Sequence, residues 1–191
     1  SMVRDYGRAV GDLAGAYARF APEMAAEHRF FLENRTRGGL AHYWDGSDAP
    51  RVEMLGHDLT TGGTPAYYRN LRAACESGWD FSARWFAGEG LETIRAGELW
   101  VVDLNAILLV NEEILFEATG EARHAEAAEA RRMALRDFFD PGIGFFCDRV
   151  IGGGSTGFVS AAGMFPLWAG AATPAQAAAT VATMKARLWA P

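Results

Sequence analysis

An aspartate between two aromatic residues, just after a glycine, is the most distinctive chemical feature of this 191-residue sequence. It is Asp80, in the run ESGWDFSARW of residues 76–85. Apolar surroundings raise the pKa of a carboxyl group, and a general acid needs a raised pKa to keep its proton at neutral pH. Asp80 is therefore a candidate general acid. The alternative is a helix N-cap, with Ser82 and Arg84 in the first turn.

A second candidate is the tripeptide Arg51-Val52-Glu53, which places a guanidinium and a carboxylate two positions apart. In an extended loop, side chains at that spacing project to one side. Planar charged groups bind sugar hydroxyls in pairs, and an aromatic face such as that of Trp44 covers the C–H surface of a sugar. The pattern favours a carbohydrate site, and the alternative is an ordinary surface Arg/Glu pair. The nearby His57-Asp58 is interpreted as a local hydrogen-bonded pair.

Helices must position these residues, because apolar side chains recur at intervals of three and four over most of the chain. The first helix is predicted to end near Ala21, and Pro22 is predicted to begin a second helix that Gly38-Gly39 stops. These two would form a hairpin. From Leu40 to Gly63 the periodicity disappears, which predicts a long ordered loop.

The helices on either side of Asp80 have clear boundary signals in the sequence. Thr64-Pro65 begins a helix that runs into a break at Glu76-Ser77-Gly78. Asp103 is predicted to cap a helix that Gly120 ends, and residues 121–138 are predicted to form its antiparallel partner.

The C-terminal part is predicted to be more irregular. The segment from Phe145 to Val150 is a short extended piece, and a helix resumes around Phe158 until Pro166 interrupts it. Thr173-Pro174 begins the last helix. Paired helices of this kind favour an all-α stack or toroid, forming a single domain over residues 1–191.

Composition excludes several classes of partner. The formal net charge of -6 and the pI near 5.2 argue against nucleic acid, and no apolar run approaches the roughly 20 residues that cross a bilayer. Cys75 and Cys147 lack metal-binding spacing and are interpreted as free thiols in a reducing cytoplasm. No metal or other cofactor is expected. Trp100, Trp168 and Trp189 are interpreted as packing residues.

Three ordered motifs resemble those of α,α-trehalases. They are Arg51-Val52-Glu53, the run 76–85, and Val101-Val102-Asp103-Leu104-Asn105, which follow one another in the order and spacing of that family. Residues 42–45 and 160–168 also look like trehalase segments, so the resemblance covers most of the chain from about Leu40 onward. It implies helical hairpins that form part of an (α/α)6 toroid.

The same resemblance implies an inverting glycoside hydrolase that cleaves α,α-trehalose into two glucose molecules. Four positions match site residues of the family: Asp80 the general acid, Arg51 and Glu53 an Arg-Pro-Glu sugar-binding motif with Val52 in place of the proline, and Gly78 a glycine lining the pocket. Trp44 completes the candidate sugar site. Asp103 and Asn105 match a motif interpreted as mainly structural, a helix cap and its buried hydrogen-bond partner.

Two blocks of the family are not found in this sequence, an upstream sugar-binding block and a downstream block followed by the catalytic base. An inverting enzyme needs its base roughly 6.5–9.5 Å from the acid. Glu112, Glu113 and Asp148 are available carboxylates, but they are interpreted as solvated positions. The alternative function is a catalytically incomplete, trehalase-like protein that binds sugar or oligomerises.

The expected partners follow from the same resemblance, and the expected location follows from the cysteine pattern and from an N-terminus unlike a signal peptide. The small-molecule ligand would be trehalose or glucose. An arc of a toroid leaves apolar faces uncovered, which predicts a homo-oligomer or a complementing chain. The expected location is the cytoplasm, or the periplasm if the chain is a fragment of a longer precursor.

Overall fold

The computed structural model describes residues 2–61 and 63–189 and is all-α, with helical hairpins that form part of an (α/α)6 toroid-like array. The α-helices of the described ranges are α1 (Met2–Ala9), α2 (Leu13–Asn34), α3 (Leu55–Thr61), α4 (Pro65–Ser77), α5 (Val102–Thr119), α6 (Ala122–Arg136), α7 (Phe165–Trp168) and α8 (Pro174–Arg187). Antiparallel two-residue strands join the loops in three ladders: β1 (Thr36–Arg37) with β2 (Leu40–Ala41), β3 (Leu99–Trp100) with β6 (Arg149–Val150), and β4 (Phe139–Asp140) with β5 (Phe145–Phe146).

Helix α5 lies at the centre of the array. It is apolar on nearly all sides, which is typical of a helix surrounded by protein. Gly120 ends it in the left-handed conformation, with φ of 70°, and α6 returns antiparallel beside it, as predicted. The predicted cap is wrong, since Asp103 lies inside the first turn. The N–H of Val102 donates instead to the Asp148 carboxylate at 2.9 Å.

The N-terminal hairpin differs from the prediction. The chain breaks at Gly11, which has φ of 71°, and Asp12 caps α2 by accepting from the Gly15 N–H at 2.8 Å. Pro22 lies inside α2 instead of beginning a helix. A cap and a left-handed glycine at residues 11–12 define the boundary more strongly than one missing backbone donor at Pro22.

The segment predicted as a long loop contains helical turns. A 3₁₀ turn at Val52–Met54 runs directly into α3. The next helix begins as predicted, because the Thr64 side chain accepts from the Tyr67 N–H at 3.2 Å. The short helices are too weakly periodic to be predicted from the sequence.

The C-terminal part has one wrong prediction and two confirmed ones. The extended piece forms β5 and β6, and α8 begins with a capping box between Thr173 and Gln176. No helix resumes at Phe158, because the chain stays irregular until the 3₁₀ turn Ala161–Met164. Pro166 lies in the first turn of α7, where its missing N–H costs little.

Two apolar clusters form the core of the described residues, and one partly buried side chain packs against both. One cluster lies between α4, α5 and the 3₁₀ turns after residue 82, and the other lies between α2, α5, α6 and α7. Trp79 packs against both. The segment that carries Asp80 is therefore anchored at the junction of the two clusters. Among the other tryptophans, Trp168 and Trp189 are mainly exposed, so their prediction as packing residues is wrong.

Candidate active site

The predicted site residues lie around the C-terminal turns of α4. Gly78 caps this helix with φ of 71°, and its N–H donates to the Cys75 carbonyl at 3.1 Å. Because a side chain is strained at positive φ, glycine suits this turn. The turn directs the chain away from the helix axis immediately before Asp80.

Asp80 is exposed at this turn, and the peptide bond to Phe81 is cis. The expectation that two aromatic rings bury its carboxyl group is wrong, because the Trp79 indole turns into the core while Phe81 remains partly exposed. The N-cap interpretation is also wrong. Ser82 is the cap, accepting from the Arg84 N–H at 3.2 Å. Asp80 is thus presented to solvent at the edge of the array.

Arg51 lies next to this acid and is buried. Its guanidinium stacks on the Phe81 ring, with 5.0 Å from Cζ to the ring centroid, and Nη1 donates to the Cys75 sulfur at 3.3 Å. Burial raises the pKa of the Cys75 thiol, which the charge of Asp80 raises further and that of Arg51 lowers. The three groups therefore lie within electrostatic range of one another.

Glu53 and Arg51 do not project to one side as predicted. The 3₁₀ turn rotates the backbone after Arg51, so that Arg51 is buried and Glu53 is exposed. The Glu53 carboxylate lies near Arg72 of α4. The pKa of Arg72 is raised mainly by its hydrogen bond to Asp45, at 2.8 Å, and in smaller part by the negative charge of Glu53.

Trp44 lies on the same side of α4. Its ring stacks on Arg69, with 5.1 Å between Cζ and the ring centroid. The Trp44 backbone N–H donates to Glu76 at 2.7 Å, and Arg35 donates to the same carboxylate at 2.7 Å. Glu76 thus ties the Trp44 loop and the end of α2 to α4. The predicted residues are brought together, each contacting or neighbouring α4.

A buried arginine, Arg84, stabilises the segment that carries Asp80. Arg84 donates to Asp103 at 2.7 and 3.0 Å and to Asp148 at 2.5 and 2.8 Å. The indoles of Trp79 and Trp85 both stack on its guanidinium, at 4.9 and 4.5 Å. Arg84 lies between aromatic residues in the sequence, and this pattern could have marked it as a residue of interest. Its role could not be predicted, because its ion-pair partners lie 19 and 64 positions away in the sequence.

The carboxylates considered as bases are held in ion pairs. Asp148 binds Arg84, and Glu113 binds Arg132. Glu112 is fully buried and binds Arg131 at 2.8 Å and His28 at 3.0 Å. The interpretation of Glu112 and Asp148 as solvated positions is therefore wrong.

Asn105 has the structural role that was predicted. It is fully buried, accepts from the Ala41 N–H at 2.9 Å and donates to the Ala41 carbonyl at 2.9 Å. Asp103 is structural as an ion-pair partner of Arg84 and not as a cap. Both side chains join α5 to the segments that flank the site.

The described residues hold no group of three or more His, Cys, Asp or Glu side chains arranged for a metal ion. The two thiols, Cys75 and Cys147, are free. In the same part of the chain no helix is long and apolar enough to cross a membrane. For chemistry, the arrangement provides the exposed carboxyl group of Asp80 near the buried guanidinium of Arg51. Aromatic rings and further charged side chains lie along α4.

Helical hairpins that present such a site place the chain in the class of helical-toroid domains. Two solved structures from Thermus thermophilus share the fold, an uncharacterized conserved protein (TM-score 0.59, 20% identity) and a GH63 mannosylglycerate hydrolase in complex with glucose (TM-score 0.57, 17% identity). Each matches 92% of this chain, and the matched parts are 47% and 46% of those chains.

The trehalase family model matches residues 1–190, and the chain belongs to the trehalase family. The periplasmic trehalase of Pseudomonas aeruginosa is 34% identical over all of this chain and 40% of its own length. That of Xanthomonas campestris pv. campestris is 32% identical over 92% of this chain and 36% of its own. The chain thus spans well under half the length of these relatives. The resemblance inferred from the motifs is confirmed.

Proposed function

We propose that this chain forms the acid-bearing part of a trehalase active site, which hydrolyses α,α-trehalose to two glucose molecules with inversion. Asp80 protonates the glycosidic oxygen as the bond to the anomeric carbon breaks. Water attacks that carbon from the opposite face and loses a proton to a general base. Each turnover consumes one water and leaves one glucose with an inverted anomeric centre.

The observation that carries this proposal is the position of Asp80 in a chain of the trehalase family. Its carboxyl group is exposed at a turn that Gly78 creates and Trp79 anchors, so a glycosidic oxygen has access to it. Arg51 lies in contact with the neighbouring Phe81 ring. Arg51, Glu53 and the Trp44 face would hold glucose hydroxyls and C–H surface.

Glucose release from trehalose by the purified protein tests the proposal. Asp80→Asn keeps the shape of the side chain but cannot donate an acidic proton, so we expect a rate lower by about 10²–10⁴-fold. Glu126→Gln, an exposed change on α6, is the control and should keep wild-type turnover. Measurable glucose release at equal rates by wild type and Asp80→Asn would exclude Asp80 as the acid.

A second function is favoured by a specific observation, namely that the buried carboxylates near α5 are all engaged with arginines. None of them is available as a base in this arrangement. A trehalase-like protein that binds sugar without hydrolysing it would then remain. Saturable trehalose binding, measured by calorimetry, together with zero glucose release by the wild type would establish this alternative.

We also propose a partner and a location. The sugar partner is trehalose, and either a second copy or a complementing chain covers the exposed apolar faces. The relatives are named periplasmic trehalases, which supports the periplasm over the cytoplasm expected from the cysteine pattern. Fractionation of cells producing the native protein would separate the two compartments.

A further inference from the structure

A fully buried carboxylate lies in an otherwise exposed short helix next to the candidate sugar site. Asp58 has no exposed surface, whereas His57 and Leu59 on either side of it are exposed. A carboxylate is costly to bury unless it is paired and hydrogen-bonded. Its burial therefore indicates a specific role for its partner.

That partner is Arg51, seven positions earlier. Asp58 Oδ2 accepts from the backbone N–H of Arg51 at 2.9 Å and from Nε at 3.0 Å, and Oδ1 accepts from Nη2 at 2.6 Å. Two parallel bonds fix the plane of a guanidinium as well as its position. The predicted pairing with His57 is much weaker, at 3.6 Å with a half-exposed imidazole.

The remaining contacts complete the orientation of the guanidinium. Nη1 donates to Cys75, and Phe81 covers one face. A guanidinium has five N–H donors, and these contacts with described residues use one each on Nε, Nη1 and Nη2. One donor on each terminal nitrogen is left. A pair of donors in one plane matches two adjacent sugar hydroxyls.

We infer that Asp58 is a positioning residue that orients the guanidinium of Arg51 toward a sugar in the candidate site. The bidentate carboxylate fixes the inner edge of the guanidinium, so that its terminal donors face the ligand in one geometry. The hydrogen bond to Arg51 lowers the pKa of Asp58, which keeps the carboxylate ionised at neutral pH. The sugar-binding part of the inference depends on the proposed function, whereas the clamp on Arg51 does not.

The clamp is tested by NMR on the purified protein, without any sugar. Asp58→Asn keeps the size of the side chain and removes its charge. We expect the Arg51 Nε proton to exchange with solvent at least about tenfold faster, as fits the loss of a charge-assisted hydrogen bond. The loss of the signal in Arg51→Lys assigns it. Glu113→Gln, which breaks a different carboxylate–arginine pair, is the matched control and should leave the exchange unchanged.

The effect on the site is tested by a double-mutant cycle of Asp58→Asn with Arg51→Lys. If Asp58 acts through Arg51, Asp58→Asn raises KM for trehalose about tenfold more than it lowers kcat, and has no further effect in the Arg51→Lys background. A merely structural role would give additive losses. Where the wild type has no turnover, the same cycle is measured on the trehalose dissociation constant.

Two outcomes would overturn the inference. One is unchanged Arg51 exchange in a folded Asp58→Asn variant, and the other is additive effects in the cycle. If circular dichroism finds Asp58→Asn unfolded, Asp58→Glu replaces it, since it keeps the charge and displaces the carboxylate by one methylene. Absence of sugar binding in the wild type refutes the proposed function and leaves the exchange result to decide the clamp.

Discussion

Buried charged side chains near the site lie in ion pairs. Arg84 is fully buried, and two carboxylates and two indole faces surround its guanidinium. Asp148 also accepts from the first N–H of α5, where the helix dipole favours negative charge. The single cation therefore organises the start of the central helix and the segment that carries Asp80.

Replacing Arg84 with methionine leaves Asp103 and Asp148 buried without their cation. We expect the free energy of unfolding to fall by about 3–5 kcal/mol, the usual cost of breaking a buried ion pair from one side. Urea denaturation at pH 7 measures it. Arg132→Met removes a more exposed arginine that pairs with Glu113 and Glu129, and its cost should be about 1 kcal/mol or less. Equal costs for the two variants would show that Arg84 does not stabilise the fold more than a surface arginine does.

Because His124 is buried, we expect the stability of the protein to depend on pH. The imidazole is buried, with its ring edge-on to His28 at 5.9 Å. Burial lowers its pKa from 6.5, and the charges of Arg123 and His28 lower it further. The unfolded chain therefore binds this proton more readily than the native protein. The stability from neutral His124 is fully present above pH 6.5 and is lost as the pH falls through the lower, native pKa.

The midpoint of urea denaturation, measured at several pH values from about 7.5 to 5.5, tests this expectation. The quantity to compare is the change of the midpoint with pH. The wild type should lose stability as the pH falls, and His124→Gln should lose less over the same range. Parallel curves for the two proteins would contradict it. His42, whose pKa burial also lowers, contributes equally to both proteins.

Helix α5 contributes buried residues to both apolar clusters of the core. Its Leu109 is fully buried among residues of the second cluster, whereas Ile107 two positions earlier is half-exposed. The turn to Asp80 depends on this helix through Trp79, which contacts both clusters. Damage to α5 should therefore weaken the whole array and not one hairpin.

Leu109→Ala should lower the free energy of unfolding by about 2–5 kcal/mol, since it removes buried methyl groups and leaves a cavity. Ile107→Ala on the same helix is the control, and we expect a smaller loss because much of its side chain is already in water. Urea denaturation compares them. A larger loss for Ile107→Ala would mean that α5 packs differently.

Several boundaries with a local chemical cause were predicted from the sequence, although the one at Gly11 and Asp12 was missed, and boundaries decided by distant contacts could not be predicted. Helix caps and left-handed turns act locally, and they were predicted at Thr64, Gly78, Gly120 and Thr173. Pro22 misled the prediction, because α2 continues through it. Helix α3 has its single buried residue in Asp58, so no apolar periodicity marks it.

The site was predicted in the same uneven way. The structure places Arg51 against Phe81, close to Gly78 and Asp80, and the roles of these residues in catalysis stay predictions. The predicted apolar surroundings of Asp80 were wrong, because aromatic residues that are adjacent in sequence need not surround a side chain in space. Asp58 and Arg84 were missed as supports, since their partners are identified only once the chain is folded.

An exposed apolar groove lies on the surface of the part of the chain that the structure describes. It has a volume of about 490 Å³ and lies between α2, α5 and α7. Its apolar lining includes Met24, Phe31, Leu104, Ile107, Leu108 and Trp168. Such a surface in water favours association.

Light scattering after size-exclusion chromatography tests the association. We expect a mass above the 20.7 kDa of one chain that rises with protein concentration. Replacing both Ile107 and Trp168 with serine should reduce it, because these two exposed side chains lie in the groove. A constant monomer mass for the wild type would refute self-association.

The most direct test of Asp80 as the general acid compares two substrates in wild type and Asp80→Asn. Trehalose needs a protonated leaving group, whereas fluoride leaves α-glucosyl fluoride without one. If Asp80 is the general acid, Asp80→Asn loses trehalose hydrolysis by about 10²–10⁴-fold and keeps α-glucosyl fluoride hydrolysis within about tenfold of wild type. Equal loss on both substrates, or full trehalose hydrolysis by the variant, would contradict the assignment of Asp80 as the general acid.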